Sequence, residues 1–361
     1  MTFSNIKQIV VPEGAVKKIT YNGATLWERI SRYLKTVIGK VVTVTDALNE
    51  PAESLKVTLE PIQSGSGTPS PDNVRPISGH TECVTEVCGV NLFDKTTALD
   101  GYIDDANGQL SGSAYYKSTD YIRVIGGGSY YIASEQTSSM WGAWYDENKR
   151  YISGVTSYAN QVITAPSNAS YVRLTIKSSA TGNVDTFAVN YPSTDHDYHA
   201  YDGESYTTTL GRTVYGGTLD VVSGVLTVDR AMVDLGTLTW QKYSVTNGTL
   251  FRSAQINDAS LVHGSTNFIC SNYATTIPST RANGTASCSN NKRVDIIDNS
   301  FADATASDFK TAMNGVQLCY ELATPQTYQL DPQTISLLHG NNNVWSDGSV
   351  ELTYWGTEQS N

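Results

Sequence analysis

The stretch Gly217-Thr-Leu-Asp-Val-Val-Ser-Gly-Val-Leu-Thr-Val228 contains two runs in which apolar and polar residues alternate, one on each side of Ser223-Gly224. Alternation with period two places the apolar side chains on one face of a β-strand, and a Ser-Gly pair between two such runs predicts a hairpin turn. Similar strand-like runs recur on both sides along the chain: Ser54–Pro61, Tyr206–Leu210, Val316–Leu322, Gln326–Leu330 and Val350–Trp355. The sequence therefore predicts a mostly β protein.

The composition of the 361 residues points the same way. Charged residues make up only 16% of the chain, whereas there are 29 glycines and 22 tyrosines. Long exposed helices need Lys, Glu and Arg on their wet face, so a mostly helical protein is not expected. The 24 basic and 35 acidic residues give a net charge of −11. This charge argues against nucleic-acid binding, which relies on Lys and Arg to neutralise phosphates.

Membrane, secretion and disulfide signals are not indicated. No apolar run approaches the roughly 18 residues of a membrane span, so no such span is expected. Residues Met1–Lys7 lack the charged region and apolar core of a secretion signal, so we expect the protein to be made in a cytosol. The five cysteines are odd in number and form no Cys-x-x-Cys pair, which predicts buried free thiols.

The N-terminal 40 residues divide into a hairpin and a connector. Asn22-Gly23 separates two β-prone runs and predicts a short β hairpin module within residues 1–29. In residues 30–40 the apolar positions from Ile30 to Ile38 fit a helical period. The β-branched residues that accumulate toward Val44 fit a strand instead, so a short helix or stalk and a strand both remain open.

Two long segments differ from the rest of the chain in composition and in hydrophobic periodicity. Residues 93–199 are rich in Tyr, Ser and Gly and carry turn signals roughly every ten residues, which is typical of a β-sandwich or jelly roll. Residues 232–315 show weaker periodicity, so they form a second β-rich segment with less regular strands. Within it, Thr305–Met313 predicts one short helix with Ala306 and Phe309 facing inward.

Several stretches carry a resemblance to a known family: Leu59–Ile77 (LEPIQSGSGTPSPDNVRPI), Cys88–Phe93 (CGVNLF), Gly217–Val228, Tyr320–Leu330 (YELATPQTYQL) and Asn341–Asp347 (NNNVWSD). Their motifs, and their order along the chain, are similar to those of tail proteins of phages and prophages of Gram-positive (Firmicutes) bacteria. Such chains are tail fibre, baseplate or receptor-binding proteins, so the resemblance implies a component of the virion.

The resemblance also implies a domain organisation. Residues 41–92, 200–231 and 316–361 would form a discontinuous β-sandwich shell domain. Residues 93–199 would be inserted in it as a jelly-roll or lectin-like module, and residues 232–315 as a second module, since exposed loop tips tolerate insertions. Residues 1–29 would attach the protein to the tail. By family analogy we expect a homotrimer at the tail tip or fibre, assembled in the host bacterial cytoplasm.

The motif Trp141-Gly-Ala-Trp-Tyr-Asp146 is the strongest candidate for ligand binding. Sugars present apolar C–H faces and hydroxyl rims, so an exposed aromatic ring beside a carboxylate suits them. Trp141 and Trp144 are three residues apart, so a strand directs them to opposite sides and one belongs to the core. The candidate glycan-binding residues are Trp141, Trp144, Tyr145, Asp146, Tyr130, Tyr131, Tyr151 and Tyr158. The alternatives are that these aromatic residues fill a sandwich core or contact other proteins.

Two further motifs are weaker candidates for metal binding. In Asp195-His-Asp-Tyr-His199, the side chains of His196 and His199 can ligate a metal, and three-fold symmetry would multiply the ligands; the alternative is a polar connector. Asp104–Gly108 offers oxygen ligands of the calcium type but lacks the spacing of an EF-hand loop, which favours a simple turn. No cofactor is expected.

The sequence predicts a protein that is not an enzyme. It has no Gly-x-Ser-x-Gly, no His-Glu-x-x-His and no Gly-x-Gly-x-x-Gly after a strand. Two of the carboxylates of Asp104, Asp146 and Glu147 could serve as the catalytic pair of a glycosidase, although Asp146-Glu147 fits the tip of a hairpin better.

Three hypotheses follow, in descending order. The first is a phage tail protein that contacts other tail or baseplate proteins and binds a bacterial surface polysaccharide through the lectin-like module. The second is a purely structural baseplate or tail-tip protein whose tyrosine-rich surfaces bind other virion proteins. The third is a hydrolase of cell-wall glycan, which needs only two suitably spaced carboxylates.

Overall fold

The protein is mostly β in the computed structural model, as the sequence predicts, and the β-sandwich arrangement of the shell domain stays a prediction. The structure describes seven stretches of the chain: residues 18–21, 24–28, 32–50, 52–135, 140–177, 183–334 and 338–357. This part of the chain contains 29 strands and one α-helix. None of its helices is long and apolar enough to cross a membrane.

The elements follow one another in this order. The strands up to residue 92 are β1 (Lys18–Tyr21), β2 (Ala24–Glu28), β3 (Arg32–Glu50), β4 (Ser54–Leu59), β5 (Ile62–Gln63), β6 (Ile77–Ser78) and β7 (His80–Cys88). Those of residues 93–199 are β8 (Leu99–Asp100), β9 (Tyr102–Ile103), β10 (Leu110–Ser111), β11 (Tyr116–Ser118), β12 (Ile122–Arg123), β13 (Ser129–Ala133), β14 (Trp141–Tyr145), β15 (Tyr151–Thr156), β16 (Gln161–Thr164), β17 (Tyr171–Lys177) and β18 (Ala188–Asn190).

The remaining elements complete the chain. The strands are β19 (Gly203–Val214), β20 (Gly217–Asp220), β21 (Val225–Asp234), β22 (Trp240–Val245), β23 (Gly248–Ser253), β24 (Phe268–Cys270), β25 (Ala274–Thr276), β26 (Thr285–Asn290), β27 (Arg293–Ile297), β28 (Gln317–Gln329) and β29 (Leu338–Thr357), and the helix is α1 (Ala306–Ala312). Short 3-10 helices occur at Lys95–Thr97, Asn183–Thr186, Leu235–Thr237, Pro278–Thr280 and Asn299–Phe301.

The N-terminal hairpin predicted around Asn22-Gly23 is present. Strands β1 and β2 pair antiparallel, with Lys18 opposite Glu28 and Tyr21 opposite Ala24. The first part of the predicted attachment module, residues 1–17, lies outside the described residues. The attachment role of this module stays a prediction.

The connector at residues 30–40 is a strand and not a helix over its described part, residues 32–40. These residues begin β3, which pairs antiparallel with β29 from Arg32 opposite Thr357 to Glu50 opposite Leu338. The helical alternative is therefore wrong there. The β-branched residues favour an extended backbone, and pairing with a distant strand outweighs the local apolar period.

The largest sheet in the described part of the chain has nine strands, which come from its beginning, middle and end. Its order is β19-β7-β29-β4-β20-β21-β28-β24, and β3 runs along β29. The hairpin predicted at Ser223-Gly224 joins β20 to β21. Alternation is clear in β4, where Leu55, Val57 and Leu59 are buried and Lys56 is exposed. These apolar side chains form a hydrophobic cluster with those of β20, β21 and β29, which gives this sheet its own core.

The described residues of 93–199 form two sheets that share one hydrophobic cluster, together with a separate two-stranded sheet of β9 and β10. The first has the order β15-β14-β17-β11-β8, with β12 also paired to β17, and the second is β16-β13-β18. Trp144 and Val172 of the first sheet and Tyr130 and Val189 of the second belong to this cluster. Trp345 of β29 joins it, so the segment packs directly on the large sheet. The jelly-roll or lectin-like arrangement stays a prediction.

Residues 232–315 form a five-stranded sheet in the order β22-β23-β27-β26-β25. The helix predicted at Thr305–Met313 is confirmed as α1. Phe309 is buried and stacks on Phe251 of β23, with 3.8 Å between ring centroids, and Ala306 packs at the edge of the same cluster. Strands β24 and β28 of the large sheet contribute side chains to this cluster, so the segment is joined to the large sheet through its core.

All five cysteines are free and buried, as the sequence predicts. Burial raises the pKa of the Cys270 and Cys319 thiols to about 11. These two thiols therefore stay protonated near neutral pH, in the form that is a poor nucleophile and a poor metal ligand.

Candidate functional site

Four of the predicted glycan-binding rings lie in hydrophobic cores. Tyr130, Trp144, Tyr145 and Tyr158 are each no more than 3% exposed. The Tyr145 hydroxyl donates a hydrogen bond to the Gly108 carbonyl oxygen at 2.5 Å, and burial raises the Tyr145 pKa to about 12. The prediction that these four rings contact a sugar is wrong, because neighbouring apolar side chains enclose them.

Trp141 lies outside the core and is half buried. Its ring packs edge-to-face with those of Tyr102 and Tyr116, and the three centroid distances are 5.8, 6.0 and 6.3 Å. Tyr151 is also at the surface, where its hydroxyl donates to the Asp105 carbonyl oxygen at 2.8 Å. The three packed rings form a partly exposed apolar patch, with each ring supported by the other two.

The two predicted metal ligands have other neighbours. The His196 ring stacks on Tyr131, with 4.1 Å between centroids, and His199 Nε2 lies 2.9 Å from Asp195 Oδ1. Within the described ranges, no group of three or more His, Cys, Asp or Glu side chains is placed to hold a metal ion. Residues 195–199 of a single chain therefore do not form a metal site by themselves.

The tip of the β14–β15 hairpin is shaped by Asp146. Its carboxylate accepts hydrogen bonds from the backbone N–H groups of Asn148 and Arg150, at 2.9 and 2.8 Å. Lys149, between them, adopts a left-handed backbone conformation with φ of 59°, which is uncommon for a residue with a side chain. The hairpin tip predicted from Asp146-Glu147 is confirmed. Its hydrogen bonds hold the backbone of Lys149 in one conformation, which sets the direction in which the side chain leaves the hairpin.

Lys149 lies over two tyrosine rings. Its ammonium group is 4.7 Å from the Tyr121 centroid and 5.7 Å from the Tyr171 centroid. The guanidinium of Arg173 approaches Tyr121 at 4.8 Å, and that of Arg123 approaches Tyr171 at 5.9 Å. A cation over the face of an aromatic ring is attracted by the negative charge density of that face. Among the described residues Lys149 forms no ion pair with a carboxylate, so its charge is available to a ligand.

Two adjoining cavities open where residues 93–199 meet the large sheet. Their volumes are about 340 and about 310 Å³. Both are lined by Arg123 of β12, Tyr171 of β17 and Trp345 of β29. We call the two cavities together the junction groove. Since its walls come from three strands of two sheets, the groove exists only when the two parts of the chain are packed together.

Ion pairs hold the walls of the junction groove in place. Arg123 Nε lies 3.5 Å from Glu86 Oε2 on β7, and Arg123 Nη2 lies 3.9 Å from Asp347 Oδ1 on β29. The Trp345 indole N–H donates to the same Glu86 carboxylate. These contacts link side chains of β7, β12 and β29 around the groove.

The groups that line the junction groove suit a hydroxyl-rich ligand. The half-buried rings of Tyr121 and Tyr171, which also carry cationic groups over their faces, offer the apolar surface that remains exposed, while Lys149 provides a charged donor. Asp120 and Glu147 provide exposed acceptors. A sugar ring has both apolar faces and hydroxyls that donate and accept, so it matches this combination of contacts.

Sequence reasoning missed the residues that define the junction groove. Arg123, Tyr171 and Trp345 are far apart in the chain, and nothing near Arg123 marks it as part of a site. A partial signal existed for Trp345, which lies in the Asn341–Asp347 stretch quoted for the family resemblance. Two of the sequence candidates act at the groove: Asp146 shapes the hairpin tip that carries Lys149, and Glu147, considered as one carboxylate of a glycosidase pair, lines the first cavity.

Comparison with known protein families, with curated proteins and with solved structures finds no match for this chain.

Proposed function

We propose that this protein is a structural component of a phage tail that binds a bacterial surface polysaccharide in the junction groove. The observation that carries the binding role is that two half-buried tyrosines and Lys149, which has no carboxylate partner among the described residues, lie together in one open groove. The tail role is supported by the motifs quoted above, from Leu59–Ile77 to Asn341–Asp347, which resemble those of tail proteins of Gram-positive phages.

The mechanism is non-covalent. Each groove offers aromatic contact and a few charged hydrogen bonds, which give modest affinity for one saccharide. In a homotrimer, which the family resemblance implies, three grooves would engage one cell surface together. Linked sites raise the overall affinity by orders of magnitude without new contacts. The tail therefore needs only weak individual sites to hold a cell.

Binding to whole cells tests this proposal. Fluorescent full-length protein is added to a panel of Gram-positive strains, alongside Lys149→Ala and the matched control Arg150→Ala. Both residues are exposed at the same hairpin tip, but only Lys149 lines the groove. We expect the wild type and Arg150→Ala to label the same strains, and Lys149→Ala to bind about tenfold more weakly, as expected when a charged hydrogen bond is lost.

Circular dichroism checks that each variant is folded. Equal labelling by wild type and Lys149→Ala would place the binding residues outside the junction groove. Labelling of none of the strains would count against a surface-binding role. A double variant of Trp141 and Trp144 is not suitable for this purpose, because Trp144 belongs to the core.

One observation favours the second candidate, a purely structural tail protein. Strand β3 is 19 residues long and, in the part of the chain that the structure describes, pairs with β29 alone. Ile38 on β3 is 74% exposed. A long strand edge with an exposed apolar side chain is typical of contact with another chain. Tail assembly by a Lys149→Ala protein, with normal host range, would favour this candidate over glycan binding.

A further inference from the structure

A third cavity, of about 370 Å³, adjoins the junction groove. It shares the lining residues Asp94 and Tyr201 with the second cavity of the groove, which in turn shares Arg123, Tyr171 and Trp345 with the first. The first and third cavities share no residue. The second cavity therefore adjoins both the first and the third, and we call this order of the three cavities the row.

The third cavity has the same chemistry as the junction groove. Tyr198 and Tyr201 line it and are 46% and 37% exposed, so their rings are accessible. Burial of part of the Tyr201 ring raises its pKa, so the hydroxyl stays protonated and can donate. Asp94 and Asp202 provide carboxylates beside these rings. Aromatic faces and carboxylates thus recur at a second position along the row.

Lys95 lies at this cavity as well, in an ion pair with Asp185 at 2.6 Å. Both side chains are more than half exposed, so the pair is worth little to stability and either partner can turn toward a ligand. The third cavity therefore offers a donor in addition to its acceptors, as Lys149 does in the groove.

We propose that the three cavities form one continuous furrow that holds an extended, linear saccharide chain, with several sugar units bound side by side. This inference rests on the proposed function, since it concerns the same ligand. Each cavity alone is at the small end of the roughly 300–1,000 Å³ that small-molecule pockets occupy. Repetition of aromatic rings and carboxylates along a row matches the repeating units of a polymer better than it matches one compact ligand.

Binding of sized fragments tests the furrow. Wall polysaccharides released from the strains of the panel are partly hydrolysed, separated by length and titrated into full-length protein. We expect the affinity to rise with fragment length and to level off once a fragment reaches from Tyr171 to Tyr198. In Tyr198→Ala, the affinity for long fragments falls about three- to tenfold, as expected for loss of one aromatic contact, while that for short fragments is unchanged.

Tyr115→Ala is the matched control, because Tyr115 is 76% exposed and lines none of the three cavities. Equal affinity for the shortest and longest fragments would overturn the furrow and leave glycan binding in place. The same holds if Tyr198→Ala, shown by circular dichroism to be folded, binds long fragments like the wild type. Absence of binding to any fragment by the wild type would overturn both the furrow and the proposed function.

Discussion

Two tryptophans on one strand differ in what they contribute. Trp144 is 3% exposed in the cluster between the two sheets of residues 93–199, whereas Trp141 is half buried against Tyr102 and Tyr116. We expect Trp144→Ala to lower the free energy of unfolding by about 3–5 kcal/mol, because a large core ring leaves a cavity. Trp141→Ala removes two ring contacts at the surface and costs about 1 kcal/mol. Urea unfolding of both variants measures the difference, and equal losses would contradict this placement.

Asp295 provides a second contrast at the scale of one residue. Its side chain is fully buried and accepts two hydrogen bonds from the Arg252 guanidinium, at 2.7 and 2.8 Å, while Arg281 lies 3.7 Å away. We expect Asp295→Ala to cost about 3–5 kcal/mol, since it leaves a buried ion pair without its acid. The control is Asp303→Ala at an exposed position, where a change within about 0.5 kcal/mol is expected. Thermal and urea unfolding that rank the two variants alike would refute the structural role of Asp295.

The residue scale also shows where sequence reasoning stops. The three-residue spacing of Trp141 and Trp144 predicts that they diverge, because side chains alternate along a strand. Which of them is buried depends on the sheet that covers that face, and the covering strands β13 and β18 lie elsewhere in the sequence. The sequence therefore places Tyr130 and Tyr158 among the candidate surface rings, whereas both are core residues in the structure.

At the scale of single elements, the β20–β21 turn requires glycine. Gly224 has φ of 73°, and a Cβ there would lie 2.2 Å from the Leu330 carbonyl oxygen. Gly211 has a similar φ of 67°, but a Cβ there would meet nothing within 4 Å. We expect Gly211→Ala to cost about 1 kcal/mol through backbone strain alone, and Gly224→Ala to cost clearly more, because Leu330 must also move. Urea unfolding compares the two variants, and equal losses would show that the close contact is relieved without cost.

Two elements show why local patterns succeed in one case and fail in another. Helix α1 was predicted correctly because its signals are local: Thr305 and Asp308 cap its first turn, and Phe309 faces the core. The start of β3 carries an equally good helical period. It is a strand because it pairs with β29, which follows it by nearly the whole length of the chain. A pattern of apolar residues within a short stretch of sequence cannot reveal a strand partner that lies so far away in the chain.

At the scale of the whole molecule, the candidate site depends on how the parts of the chain pack. The stretch quoted first, Gly217–Val228, predicts its own hairpin, and alternation predicts most strands near it. The junction groove, however, brings together Glu86, Arg123 and Trp345 from three strands of two sheets. Glu86 and Arg123 carry no signal in their own stretches, and the motif that contains Trp345 does not indicate what this residue contacts. The groove therefore follows from tertiary packing and is not predictable from any one motif.

The charge of the molecule predicts which polymers the furrow accepts. The net charge is −11, and the charged residues that line the three cavities are five carboxylates and three cations: Glu86, Asp94, Asp120, Glu147 and Asp202, with Lys95, Arg123 and Lys149. A polymer bearing phosphate or carboxylate groups meets net repulsion there, and this repulsion grows at low salt, where charges are less screened. An uncharged saccharide is bound through stacking and hydrogen bonds and experiences no net Coulomb force.

We therefore expect binding of neutral wall polysaccharide to change less than about twofold between about 50 and about 200 mM salt, a range over which binding to a polyanion changes steeply. Heparin, used as a polyanionic sugar chain, should bind at least about tenfold more weakly than the neutral polymer. Fluorescence anisotropy with end-labelled polymers measures both quantities. Tighter binding of the anionic polymer at low salt would contradict this prediction, because it would mean that the three cations Lys95, Arg123 and Lys149, and not the five carboxylates, dominate the electrostatic field in the furrow.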